Sequence, residues 1–201
     1  MMRSLFEYRR KGVFFADGWE TGQDWTILNY PQVDRVTTDP FAGAYCVRLI
    51  DNDDSRSAGL YRDNLWGEAP LITIEVAQKV APPTPPWTVS GQVYVYNKAH
   101  TRVALIVGQQ TNGDVFHWGA GGAIVFYHGS MNTWYKFKIK VNWNNEKFDV
   151  WLYDRYGSLL AEAHDIPFLN STTIEVIAHL LLYSPIVSRG TMYWDAVEVD
   201  P

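Results

Sequence analysis

Residues Trp134 to Asp154 read WYKFKIKVNWNNEKFDVWLYD, and the spacing of apolar side chains in this stretch decides the fold. From Tyr135 the apolar residues fall on every second position (Tyr135, Phe137, Ile139, Val141, Trp143), with Lys136, Lys138, Lys140 and Asn142 between them. A period of two is that of a strand with one buried and one wet face. Asn144-Asn145-Glu146 interrupts the pattern with residues suited to a turn, Asn145 being the expected bearer of a positive φ. Phe148, Val150 and Leu152 then resume the alternation, so the stretch predicts a long β-hairpin. On the return strand the opposite face carries Asp149, Trp151 and Tyr153, which places two large aromatics where solvent or a ligand groove would be.

Outward from this hairpin the same signal recurs. Short strands are predicted over Val13–Ala16, Ala44–Ile50, Leu71–Val80, Val89–Asn97, Arg102–Gly108 and Ala123–His128, with turn signals between them. Gly113 to Gly122 holds four glycines around Phe116, His117 and Trp118, and Gly119, Gly121 and Gly122, which precede a strand, read as a turn. The apolar run Ile174 to Tyr183 admits a helix, but its β-branched start favours a buried strand. Thr191–Val199 closes the chain. Ten to twelve strands and no amphipathic helix indicate an all-β, two-sheet antiparallel β-sandwich of jelly-roll type. Its expected organisation is an N-terminal arm over residues 1–12 and a single sandwich domain over 13–200, with the first and last strands side by side.

Composition narrows the function classes. The 201 residues are 47% hydrophobic and 19% charged, enough to bury a sizeable core, and nine Trp and twelve Tyr lift the aromatic share to 15%. A net charge of −5 without a basic stripe argues against nucleic acid as a partner. No window approaches the ~18 consecutive apolar residues of a membrane span. Cys46 is the sole cysteine and is expected to be a buried small hydrophobe. The opening MMRSLFEYRRKG does not read as a signal peptide. An extracellular, cell-surface or virion setting is nonetheless the expected one.

Three motifs together resemble the concanavalin A-like (laminin G-like) jelly rolls, whose layout carbohydrate-binding modules share. They are Phe15-Ala16-Asp17-Gly18-Trp19-Glu20-Thr21-Gly22, the Trp134-Tyr135 hairpin running to Asp149-Val150-Trp151-Leu152, and the closing Tyr193-Trp194-Asp195-Ala196-Val197-Glu198-Val199. The resemblance implies a structural calcium ion, for which the matching positions are Asp17, Glu20 and Asp195. Asp195 has the parity of Tyr193, Val197 and Val199, so its carboxylate is expected to point inward, where it requires a cation, an arginine or backbone donors.

Sugars are bound by aromatic rings stacking on pyranose faces, with polar side chains on the hydroxyls. The aromatic candidates are Trp118 with His117, Trp151 with Tyr153, and Tyr94 with Tyr96; Trp66 and Trp87 fall in loops. Packing is the ordinary role of such residues in a sandwich. Catalysis has less support: no carboxylate pair stands on one strand face as glycoside hydrolysis requires. Arg102, Gln109, His117 and Tyr127 supply the residue types of a jelly-roll polysaccharide lyase without its Gln-x-His motif. The sequence therefore predicts a non-catalytic binding or adhesion module for a glycan or glycosylated surface. The alternative is a structural protein of a virion or other assembly, a capsid decoration or tail component, associating with itself or its neighbours through the N-terminal arm.

Overall fold

The computed structural model describes residues 15–17, 25–28, 32–51, 58–63, 70–83, 90–97, 103–170, 177–184 and 190–200; the expected N-terminal arm, Glu20, Trp66, Trp87 and Arg102 lie outside them. All regular structure among the described residues is β-strand. In chain order the strands are β1 (Phe15–Asp17), β2 (Thr26–Leu28), β3 (Gln32–Val36), β4 (Cys46–Asp51), β5 (Ala58–Asp63), β6 (Leu71–Val80), β7 (Ser90–Asn97), β8 (Val103–Gln110), β9 (Asp114–Gly119), β10 (Gly122–His128), β11 (Tyr135–Asn142), β12 (Lys147–Tyr153), β13 (Leu159–Pro167), β14 (Ile177–Ser184) and β15 (Gly190–Asp200).

They form two antiparallel sheets. The first runs β13-β12-β11-β6-β15-β4-β3, with β1 also paired to β15; the second runs β10-β9-β8-β7-β14-β5-β2. First and last strands thus lie side by side, Phe15 opposite Val199 and Asp17 opposite Val197. The Trp134 hairpin is β11 and β12, in register from Lys136 opposite Tyr153 to Asn142 opposite Lys147. Its turn carries the positive φ at Glu146 (54°), not at Asn145, because the return strand begins one residue later than the Asn pair suggests.

The alternation sends Phe137, Ile139, Val141, Phe148, Val150 and Leu152 into the space between the sheets. There they meet Val93, Val95, Leu105, Val107, Leu180 and Leu182 of the second sheet, every one of them essentially inaccessible. Each such side chain contributes roughly 1.5–3 kcal/mol through removal from water. The run expected from Ile174 is a strand, β14, and not a helix. The turn expected at Gly119, Gly121 and Gly122 is present, and it joins two strands, β9 and β10. Gly113 at φ 90° enters β9, and Gly122 at φ 93° follows the tight turn that leads into β10.

One parity expectation fails. Asp195 faces Ala77, yet Glu198 faces Glu75, so β15 carries one extra residue at this point, with Ala196 at φ 48°. This bulge keeps Trp194, Val197 and Val199 inside while turning Tyr193 and Asp195 to the outer face of the first sheet. The segment over residues 37–44 covers that outer face. Beneath it Cys46, Ala77 and Trp134 form a small second core, and Phe41 packs edge-on against Trp134 at 5.8 Å. Cys46 is buried, as expected for a small hydrophobe, and burial pushes its thiol up to about 11.

Candidate functional site

The sandwich presents two outer faces of different chemistry, and it separates the sequence candidates between them. On the first sheet Trp151 stands beside Lys138 on one neighbouring strand and Glu162 on the other, and Tyr153 beside Lys136. Trp151 meets His164 edge-on at 5.2 Å, and the Lys136 ammonium lies 5.6 Å from the Tyr153 ring centre. Both aromatics are half-buried beside the ion pairs of Lys136 with Glu75 at 2.9 Å and of Lys138 with Glu75 at 3.4 Å, and the His164 ring lies 3.6 Å from Asp149 and 3.4 Å from Glu162. Burial alone would raise Glu75, but the hydrogen bond and charge of Lys136, with Lys138, hold it below the usual glutamate value. The charges on this face compensate one another.

The outer face of the second sheet is different. Two cross-strand rows run over it in register. One comprises Ala123, Trp118, Ile106, Tyr94, Leu181, Tyr61 and Thr26; the other comprises Val125, Phe116, Gly108, Gln92, Tyr183 and Gly59. Tyr94 is the hub, stacked on Tyr96 at 5.8 Å and 15° and meeting Tyr183 edge-on at 4.7 Å. Trp118 is 38% exposed and stands at the end of the first row, two strands from Tyr94. Burial raises the Tyr94 and Tyr96 phenols, so both remain neutral hydroxyls at physiological pH. Gln92, 8% exposed, donates through Nε2 to Ser90 Oγ at 3.0 Å, and its buried Oε1 has no partner among the described residues. Sequence reading missed Tyr183 and Gln92; register with Tyr94 is the signal that adds them, and register requires the sheet order.

His117 is corrected. Although adjacent to Trp118, it lies on the opposite, inner face, 5% exposed, with Phe126 at 5.7 Å and Phe148 at 6.2 Å, and burial lowers its pKa. Of the lyase-type residues, Arg102 lies outside the described residues, and Gln109 and Tyr127 both stand opposite Val115 on the inner face that also holds His117. Gln109 is buried and donates to Ser130 O at 2.9 Å, and Tyr127 packs edge-on against Tyr135 at 5.9 Å.

Asp195 is fully buried, and its two oxygens accept the backbone N–H of Ala42 at 2.9 Å and of Ala196 at 2.7 Å. The backbone of Asp17, on β1, lies opposite Val197, which is two residues beyond Asp195 along β15. Among the described residues no three acidic, His or Cys side chains form a group fit to hold a metal. No described helix is long and apolar enough to cross a membrane.

No protein-family model matches the chain, and no curated protein matches it by sequence. Solved structures do. A sialidase superposes on 94% of this chain with TM-score 0.67 at 9% identity, the chain spanning only 18% of that protein's length. Cellulose induced protein Cip1 superposes on 92% of this chain and 96% of its own, with TM-score 0.60 at 12% identity. A carbohydrate esterase from Shiga toxin-encoding bacteriophage phi24B superposes on 94% of this chain and all of its own, with TM-score 0.60 at 14% identity. The fold is a two-sheet antiparallel β-sandwich of jelly-roll type. At these identities the likeness is one of fold, and within the jelly roll function belongs to the side chains placed on it.

Proposed function

We propose that this jelly roll is a non-catalytic carbohydrate-binding module that holds its glycan on the outer face of the second sheet. The observation that carries the reading is the cluster of Tyr94, Tyr96 and Tyr183, in register through Ile106 with the exposed Trp118. Aromatic planes fixed by mutual packing offer stacking surfaces at low entropic cost, and the Gln92 amide beside them supplies hydrogen bonding. Two fold neighbours, a sialidase and a carbohydrate esterase, are named for carbohydrate chemistry, which supports a glycan as the ligand. Raised phenol pKa values keep Tyr94 and Tyr96 protonated, so their hydroxyls are available as hydrogen-bonding groups on this face.

A second reading, a structural component of an assembly, is favoured by a specific feature. The edge strand β10 shows Ile124 at 50% and Val125 at 39% exposure, with no charged side chain from Gly122 to Tyr127. Uncharged apolar edges are where chains add strands to one another. A glycan-array screen, run with sedimentation of the same sample, separates the two. Selective binding by a monomer supports the module. A higher oligomer that binds no glycan and is dispersed by Ile124→Lys supports the assembly protein.

A further inference from the structure

We infer that the ligand of the second sheet's outer face is a neutral glycan chain, without carboxylate or sulfate groups, laid across the strands. This rests on the binding reading above and adds the class of glycan and its direction. The described residues of the two rows, from the β10 edge to β5, include no Asp, Glu, Lys, Arg or His. Asp114, in hydrogen-bond contact with His128 at 2.7 Å, lies beyond the rows where β9 begins. By register, the next row past Tyr96 holds the positions of His179 and Asp63. A uronate or sialate pressed onto aromatic rings loses its hydration and needs a cationic partner, at a cost of several kcal/mol where none is supplied. The net charge of −5 also works against a polyanion at long range.

Neutral hydroxyls meet the opposite situation. The Gln92 side chain is more than nine-tenths buried and its Oε1 has no partner among the described residues, an acceptor that a sugar hydroxyl satisfies and a carboxylate repels. Direction follows from the aromatic row itself, since Trp118, Tyr94 and Tyr61 lie in register across the strands. At Gly108 a Cβ would come 2.3 Å from the Gly91 carbonyl oxygen, and at Gly59 one would come 2.7 Å from that of Leu182, so both positions stay without side chains. They flank Gln92 and Tyr183 in the second row, and the Gln92, Leu181 and Tyr183 side chains fill the space that a Cβ would take. From Trp118 to Tyr61 the first row crosses four strand spacings, roughly 19 Å, which sets the length of chain engaged.

Affinity electrophoresis of the intact protein through neutral polymers (xylan, mixed-linkage β-glucan, galactomannan) and acidic ones (alginate, polygalacturonate, polysialic acid), at low and high salt, tests this. The expected result is retardation by at least one neutral polymer, indifferent to salt. Tyr94→Ala should weaken it about tenfold or more, the equivalent of ~1.4 kcal/mol. Should Tyr94→Ala disturb the near-UV circular dichroism, Gln92→Glu takes its place, with the same loss expected. Retardation only by acidic polymers, fading with salt and lost in either variant, would overturn the neutral-chain inference while leaving glycan binding intact. A folded protein retarded by no polymer, whether monomeric or self-associated, would overturn both.

Discussion

Asp39 ties the covering segment to the first sheet, and it does so from the left-handed region at φ 50°. Its carboxylate binds Lys79 at 3.0 Å and also Arg155, while its carbonyl accepts the Trp134 indole N–H at 2.8 Å. Lys79 is 4% exposed and lies 4.5 Å from the Tyr193 ring centre and 5.1 Å from that of Trp134. Burial by itself would raise the Asp39 pKa. The hydrogen bonds from Arg155 and Lys79 outweigh it and hold the group below its ordinary value of 3.8. A depressed folded-state pKa means that this stabilisation is present above the unfolded value and is lost as pH falls through the folded one. Asp39→Ala, which strands the Lys79 ammonium, should cost about 1–3 kcal/mol at neutral pH in urea unfolding. The gap to the parent protein should narrow on acidification below about pH 4; a gap independent of pH would contradict the role. None of this was legible in the sequence, because Asp39, Lys79 and Arg155 meet only once the sheet order is set. The His117–Trp118 pairing failed for a local reason. Successive strand residues point to opposite faces, but the surrounding glycines conceal the strand.

Strands with one face in the core announce themselves, and strands at sheet edges do not. β6 and the β11–β12 hairpin lie inside the first sheet, and their alternation gives their faces correctly. The two edges of that sheet, β3 (QVDRV) and β13 (LLAEAHDIP), are half-exposed throughout most of their length, so no apolar period marks them. β9 is hidden by flanking glycines, and β2 and β5 are short. The same logic sets the energetics of the hairpin. Phe137→Ala empties a fully buried site and should cost ~3–5 kcal/mol. Lys138→Ala, one residue on and facing solvent beside Glu75, should change stability by no more than ~0.5 kcal/mol. Equal effects in denaturant unfolding would show that the two faces are assigned wrongly.

Across the whole molecule the two sheets divide the labour. The first sheet carries the compensated ion pairs and the covering segment; the second carries aromatic rings, glycines and an amide oxygen without a partner among the described residues. Sequence patterning foresaw a jelly roll and a surplus of aromatics off the core. It did not sort them by face, because Tyr94, Trp118 and Trp151 look alike until strand order puts the first two on one sheet and the third on the other. That division makes the central claim directly measurable. Titration of the best-bound glycan into the parent protein, Trp118→Ala and Trp151→Ala, each checked for folding, compares the two faces in one experiment. The account predicts that Trp118→Ala weakens binding about tenfold or more and Trp151→Ala leaves it within about twofold. Loss of binding in Trp151→Ala with Trp118→Ala unaffected would place the ligand on the other sheet and contradict the account.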